Sequence, residues 1–191
     1  MDMEKKTVYQ GFFSVDVVEM PEGPREVVRT TDSVSILIYD EINERIILVK
    51  QARASMMTND NPEGLILETV AGRIDKPLPL EDIIIDEVLK EAGVRITKQD
   101  IVLLNAGQAM AVSAGAMTEK SYLAFVVIKP NQMEEDRVFG DSDEGERIVR
   151  VCLSLDKLKT YICEDIRVFA LIEYLRKVLL MSYLERLGYV L

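Results

Sequence analysis

The chain has 191 residues, 48% of them apolar and 29% charged, with a formal net charge of −10. That is enough for one good core, or a core plus a small accessory unit. The absence of histidine excludes His-based triads, His general bases and His-ligated zinc, and the acidic balance without a basic run argues against a nucleic-acid partner.

Residues 7–19 and 25–30 read as strands, rich in β-branched and aromatic types and separated by the turn Pro21-Glu22-Gly23-Pro24. They are too few to form a core alone. They predict a small sheet over residues 1–31 that leans on the main domain or on a second subunit. The main domain, residues 32–191, opens with the strand Ser33–Tyr39 and its hairpin partner Arg45–Lys50. A polar loop at 56–64 follows, then a strand from Leu65 to Val70 leading into Ala71-Gly72. Pro77 and Pro79 keep the next segment out of helix. A helix is predicted from about Leu80 to Ala92, with Glu81 and Asp82 suiting its first turn and Gly93 its stop. Strands are expected at 101–107 and 120–128, an acidic loop at 132–146, and a last strand at Ile148–Leu153. Ser154 caps a short helix at 155–162. A long helix at 164–187 has apolar residues at helical spacing: Val168, Ile172, Leu175, Leu179 and Tyr183. Alternating strands and helices with several hairpins suggest an α/β fold, a mixed sheet sandwiched between helices.

No run reaches the ~18 apolar residues of a membrane span, and Met1–Lys6 lacks the apolar stretch of a signal peptide. Cys152 and Cys163 show no metal-type spacing. They read as reduced thiols, so the expected setting is cytoplasmic, with no membrane partner.

The chemistry concentrates in the predicted helix 80–92. Glu87 and Glu91 are four residues apart, which on a helix means about 40° around the axis and ~6 Å along it. Two carboxylates so placed can hold a divalent cation through hard oxygen ligands. At about 100° per residue, Glu91 borders the apolar stripe of Ile84, Ile85, Val88, Leu89 and Ala92 rather than the middle of the polar face. A carboxylate there needs a partner, because an unpaired buried charge is costly. For the helix by itself, a plain amphipathic helix with a charged outer face is the competing reading. Asp86 and Lys90 stand in the favourable order for a helical ion pair, worth ~0.2–0.5 kcal/mol if exposed.

The spacing resembles the Nudix box, which reads Gly, five residues, Glu, seven residues, then Arg-Glu-aliphatic-any-Glu-Glu-any-Gly-aliphatic. Gly72, Glu87, Val88, Glu91, Gly93 and Val94 fall on it without a gap, while Leu78, Asp86 and Lys90 depart from it. Outside the box, the resemblance to the branch hydrolysing ADP-ribose and nucleotide sugars covers roughly residues 25–175. Leu48–Arg53 looks like that branch's strand ending in Gln-aromatic-Arg, with Ala52 for the aromatic. Glu68–Gly72 resembles its Glu-any-any-Ala-Gly. Ser113–Glu119 resembles its Ser-Pro-Gly-any-any-Thr/Ser-Glu loop, with Ala114 for Pro. Glu144–Ile148 resembles its acidic Glu-any-Glu-Asp-Ile loop, and Thr31–Val34 is close to the opening strand of UDP-sugar hydrolases.

This resemblance implies a Nudix-type α/β/α sandwich and Mg²⁺- or Mn²⁺-dependent cleavage of a nucleoside diphosphate sugar or ADP-ribose. It implies Glu87, Glu91 and the Ala71 carbonyl as metal ligands, and Glu146 or Glu144 as the catalytic base. Arg53, Glu68, Gly72 and Glu119 are implied at the substrate. It also implies a homodimer exchanging N-terminal strands, to which the apolar face of the last helix can contribute. Leu78, Asp86 and Lys90 leave a second reading open: a Nudix-fold nucleotide-binding or regulatory module with weakened turnover.

Overall fold

The computed structural model describes residues 5–140 and 147–187. Two sheets are present. The small one is antiparallel, in the order β1 (Lys5–Gln10), β2 (Ser14–Val18), β3 (Arg25–Arg29). The large one runs β11 (Val138–Phe139), β12 (Ile148–Ser154), β5 (Arg45–Ala52), β4 (Ser33–Asp40), β10 (Lys120–Ile128), β8 (Ile101–Leu103). Three further strands attach to it: β6 (Leu65–Glu68) to β5, β7 (Val70–Arg73) to β4, and β9 (Met110–Ala111) to β10. β4 and β10 are parallel and the remaining pairs antiparallel, so the sheet is mixed.

All eight residues of β4 are buried, and they alternate between two cores. Val34, Ile36 and Ile38 face α1 (Leu80–Ala92), packing with Ile84 and Val88. Leu37 and Tyr39 face the other way, toward Val168, Leu171, Ile172 and Leu175 of α3 (Ile166–Arg186) and Leu158 of α2 (Leu155–Leu158). Strands buried on both faces read as continuous apolar runs, and Ser33–Tyr39 is such a run. The three-layer expectation is met, with a large mixed sheet between helices and a small separate sheet at the N-terminus. Among the described residues no helix is long and apolar enough to cross a membrane.

Several boundaries differ from the sequence reading. The strand expected at 101–107 stops at Leu103, because Asn105 and Ala106 take positive φ in a tight turn. The helix expected at 155–162 ends at Leu158. The segment 65–73 is two strands, β6 and β7, broken at Thr69 and paired with different partners. The apolar stripe of α3 leaves the core beyond Leu179, and Tyr183 is exposed.

The small sheet is tied to the large domain through β3. The Val28 amide donates to the Ala116 carbonyl (2.8 Å), and the Thr118 amide donates to the Val28 carbonyl (3.0 Å). The loop that resembles Ser-Pro-Gly therefore serves as the docking edge of the N-terminal strands.

Candidate active site

The site is organised by β7. Ile74 N donates to Asp32 O (2.8 Å), and Ser35 faces Ala71 three residues further along the ladder. In an antiparallel ladder bonded and non-bonded pairs alternate. Ala71 therefore falls in a non-bonded pair, with its N–H and C=O both directed away from β4. That outward edge is where α1 brings its acidic residues. Glu91 Oε2 accepts a hydrogen bond from Ala71 N at 3.0 Å, and the Glu91 residue is only 6% exposed. The helical position beside the apolar stripe is thus a buried one, and the backbone amide is one of its partners.

Glu87 lies one helical turn earlier, against the next residue of the strand. A Cβ built on Gly72 would sit 2.4 Å from Glu87 Cγ and 2.5 Å from its Cδ. Only glycine lets this carboxylate approach the strand backbone so closely. Glu87 and Glu91 therefore come to two consecutive residues of one strand, beside the outward oxygen of Ala71.

The helix is held firmly enough to fix this register. Gly93 takes the left-handed conformation that ends it (φ 60°), with its amide bonded to Leu89 O (3.0 Å). Arg150 donates from Nη1 to Ala92 O and from Nη2 to Glu134 O, both at 2.7 Å. A cation at a helix C-terminus is favourable, and burial lowers the guanidinium's own proton affinity.

The departures from the box resolve differently. Asp86 pairs with Lys76 (3.6 Å), both largely exposed, a partner outside the helix. Leu78 is half exposed and lines a cavity of about 520 Å³ with Thr31, Asp32, Ile74, Leu80 and Tyr122. Among the described residues no three His, Cys, Asp or Glu side chains converge to hold a metal. The oxygen-bearing groups gathered at β7 are two carboxylates and a backbone carbonyl. That is an all-oxygen donor set suited to a hard divalent ion.

A second cluster lies where β6 gives way to β7. Glu68 is buried, and its Oε2 accepts from Arg53 Nε at 2.8 Å. Arg167 Nη2 lies 3.8 Å from Glu68 Oε1 and 3.1 Å from Asp165 Oδ2. Sequence reasoning reached Arg53 and Glu68 but not Arg167 or Asp165. The available signal was a basic residue in the first turn of a helix, where the dipole disfavours it. Glu119 accepts from Ser33 Oγ at 2.7 Å, which joins the loop 113–119 to the start of β4. Glu144 and Glu146 lie outside the described residues.

The hairpin tip of the small sheet reaches the same region. Arg73, the residue after Gly72, places its guanidinium 4.6 Å from the centre of the Phe12 ring and donates from Nε to Thr31 Oγ1 at 3.0 Å.

No family model matches the chain. It is 25% identical over 160 residues to the GDP-mannose pyrophosphatase of Cronobacter sakazakii, covering 83% of this chain and 80% of the relative. It is 27% identical over 155 residues to the ADP-ribose pyrophosphatase of Escherichia coli K12, covering 75% and 70%. Against the GDP-mannose pyrophosphatase of Yersinia pestis the identity is 31% over 127 residues, covering 66% and 61%. The homologues thus carry the two names toward which the box and its flanking motifs point, at modest identity over most of the chain.

Proposed function

We propose that this homologue of Nudix pyrophosphatases hydrolyses the diphosphate bond of a nucleoside diphosphate sugar or of ADP-ribose. The products are a nucleoside monophosphate and a sugar phosphate. The observation that carries this reading is the meeting of Glu87 and Glu91 at consecutive residues of β7, with Glu91 bonded to the Ala71 amide. Glu87, Glu91 and the Ala71 carbonyl are the proposed ligands of Mg²⁺ or Mn²⁺. Such an ion, when bound, supplies charge neutralisation at the diphosphate and a water of lowered pKa.

The remaining roles belong to the chain's own groups. Arg53, its Nε fixed by Glu68, turns its outer nitrogens to a phosphate, where a planar guanidinium binds bidentately. Gly72 leaves room for the Glu87 carboxylate. Glu119, held by Ser33, borders the substrate. Glu146 or Glu144 takes the proton from the attacking water. Residues 1–31 act as a cover and as a dimerisation unit on the Nudix domain 32–191, in a cytoplasmic homodimer. The exposed Val8, Tyr9, Phe12, Phe13 and Met20 of the small sheet support that role.

Leu78, Asp86 and Lys90, which depart from the box, also support the alternative of a nucleotide-binding module without turnover. A panel of GDP-mannose, UDP-sugars and ADP-ribose with Mg²⁺ or Mn²⁺ separates the two. The expected outcome is release of nucleoside monophosphate, reduced at least about a hundredfold in Glu91→Gln, since even partners of metal ligands are worth 10–100-fold. Tight nucleotide binding without release, at every metal concentration, gives the module instead.

A further inference from the structure

We propose that Arg167 is a second phosphate-binding guanidinium, joined to Arg53 through the buried Glu68, and that the two arginines form a preset clamp for the diphosphate of the substrate. This rests on the proposed reading of the site and adds to it a residue on a separate helix.

The cluster contains two cations and two anions, so its formal charges cancel. Its exposure does not. The side chains of Glu68 and Asp165 are 7% and 13% exposed, whereas those of Arg53 and Arg167 are 42% and 25% exposed. A ligand arriving from solvent therefore meets guanidinium, with the carboxylates behind it. In a chain of net charge −10 a polyanionic substrate needs such a local reversal of sign.

A purely structural account explains Arg53 but not its companion. Glu68 already has a well-placed partner in Arg53 Nε at 2.8 Å. Arg167 is the second residue of α3, where the helix dipole opposes a positive charge. It is kept there by Asp165, which caps the helix by accepting from the amides of Arg167 (2.8 Å) and Val168 (3.0 Å) and also grips Arg167 Nη2 at 3.1 Å. Burial opposes the guanidinium charge, but Asp165, Glu68 and Glu119 outweigh burial and raise the proton affinity of Arg167.

The donor inventory fits a diphosphate. Arg53 uses Nε on Glu68, and its two outer nitrogens have no partner among the described residues. Arg167 uses Nη2, and its Nε and Nη1 likewise have none. Each arginine is thus anchored by one nitrogen and presents two more, the arrangement that binds phosphoryl oxygens with geometric specificity. Glu68 precedes Ala71 by three residues on the β6–β7 segment. Three residues of extended chain span at most about 10 Å, so the backbone that carries Glu68 is joined to Ala71 by a link shorter than a nucleoside diphosphate sugar.

The test uses ADP as the probe, by calorimetric titration of the full-length protein in chelator, so that nothing turns over. Arg53→Ala and Arg167→Ala are each expected to weaken ADP about tenfold, with a smaller loss for AMP. Arg167→Met keeps the packed stem and is expected to behave like Arg167→Ala, whereas Arg167→Lys recovers part of the affinity. ADP affinity unchanged in both Arg167→Ala and Arg167→Met, or no ADP binding by the wild type, overturns the clamp. Metal-dependent turnover of GDP-mannose in the same preparations reads the proposed activity separately. Turnover with undiminished ADP binding in the Arg167 variants removes the clamp alone. The expected ADP losses without wild-type turnover remove the activity and leave the clamp.

Discussion

The two sheets are built with opposite polarity. In the large sheet, β4 buries all eight of its residues and packs apolar side chains on both faces, while its ion pair, Asp40 with Arg45, lies at the hairpin end. In the small sheet all six residues of β1 are exposed. Its best-buried residue is Asp16, 1% exposed, which accepts from Thr7 Oγ1 (2.7 Å) and pairs with Arg29. Its large apolar side chains, Val8, Tyr9, Phe12, Phe13 and Met20, point outward. The large sheet therefore stabilises itself, whereas the small one is held by a polar cluster and by the tie between β3 and residues 116–118. A three-stranded sheet without its own core is marginal, so its apolar surface is a resource for covering something else.

The largest effect that can break this contrast is a pair of truncations. Ile36→Ala removes a fully buried side chain from the α1-facing core and is expected to cost about 2–5 kcal/mol. Val8→Ala, at a residue 53% exposed, is expected to stay within about 0.5 kcal/mol. Urea unfolding of both variants checks this, and a comparable loss in Val8→Ala would show that β1 belongs to the cooperative core after all.

This polarity explains why the large sheet was legible in the sequence and the site only partly so. Ser33–Tyr39 reads as a buried strand because apolar residues run continuously, and helix 80–92 has both of its ends marked, by acidic residues and by Gly93. Glu91 was found beside the apolar stripe by helical geometry alone. The break at Thr69 was not legible, because β6 and β7 part company by pairing with different strands, which is a tertiary choice. Arg167 escaped for a related reason. Its partner Glu68 is 99 positions earlier in sequence, and no local pattern links a helix start to a distant strand end. Asp86 reaches Lys76 outside the helix, a partner that an exposed helical pair is too weak to exclude.

A titration sharpens the contrast at smaller amplitude. The hydrogen bond from Arg29, then that from Thr7, hold the Asp16 carboxyl below its ordinary value of 3.8. A carboxyl depressed in the folded state contributes stability that is fully present above the unfolded value and is lost as pH falls through the folded one. The small sheet should therefore loosen only below about pH 4. Amide exchange in β1 and β2 should rise there, ahead of the amides of Val34–Ile38 in β4, which lie among apolar side chains and away from the depressed Asp40 carboxyl at the hairpin end of that strand. Asp16→Asn should show the faster exchange already at neutral pH and should flatten the acid-dependent rise. Equal acid sensitivity of β1 and β4 amides would show that the two sheets open as one unit.

The smallest expected effect decides what the outward apolar surface covers. Phe12 is 76% exposed, yet its ring is met by the Arg73 guanidinium at 4.6 Å, and Arg73 follows directly on Gly72. An exposed cation–π contact is worth about 0.5–1 kcal/mol, so Phe12→Ala should leave the melting temperature almost unchanged. If the hairpin tip covers bound substrate, the lost aromatic surface should raise KM for GDP-mannose or ADP-ribose a few-fold while kcat holds, because uniform binding is what has been removed. An unchanged KM, with self-association weakened in sedimentation, would assign the tip to assembly alone. A fall in kcat without a change in KM would instead mean that Arg73, released from the ring, disturbs Gly72 and the carboxylate seated on it.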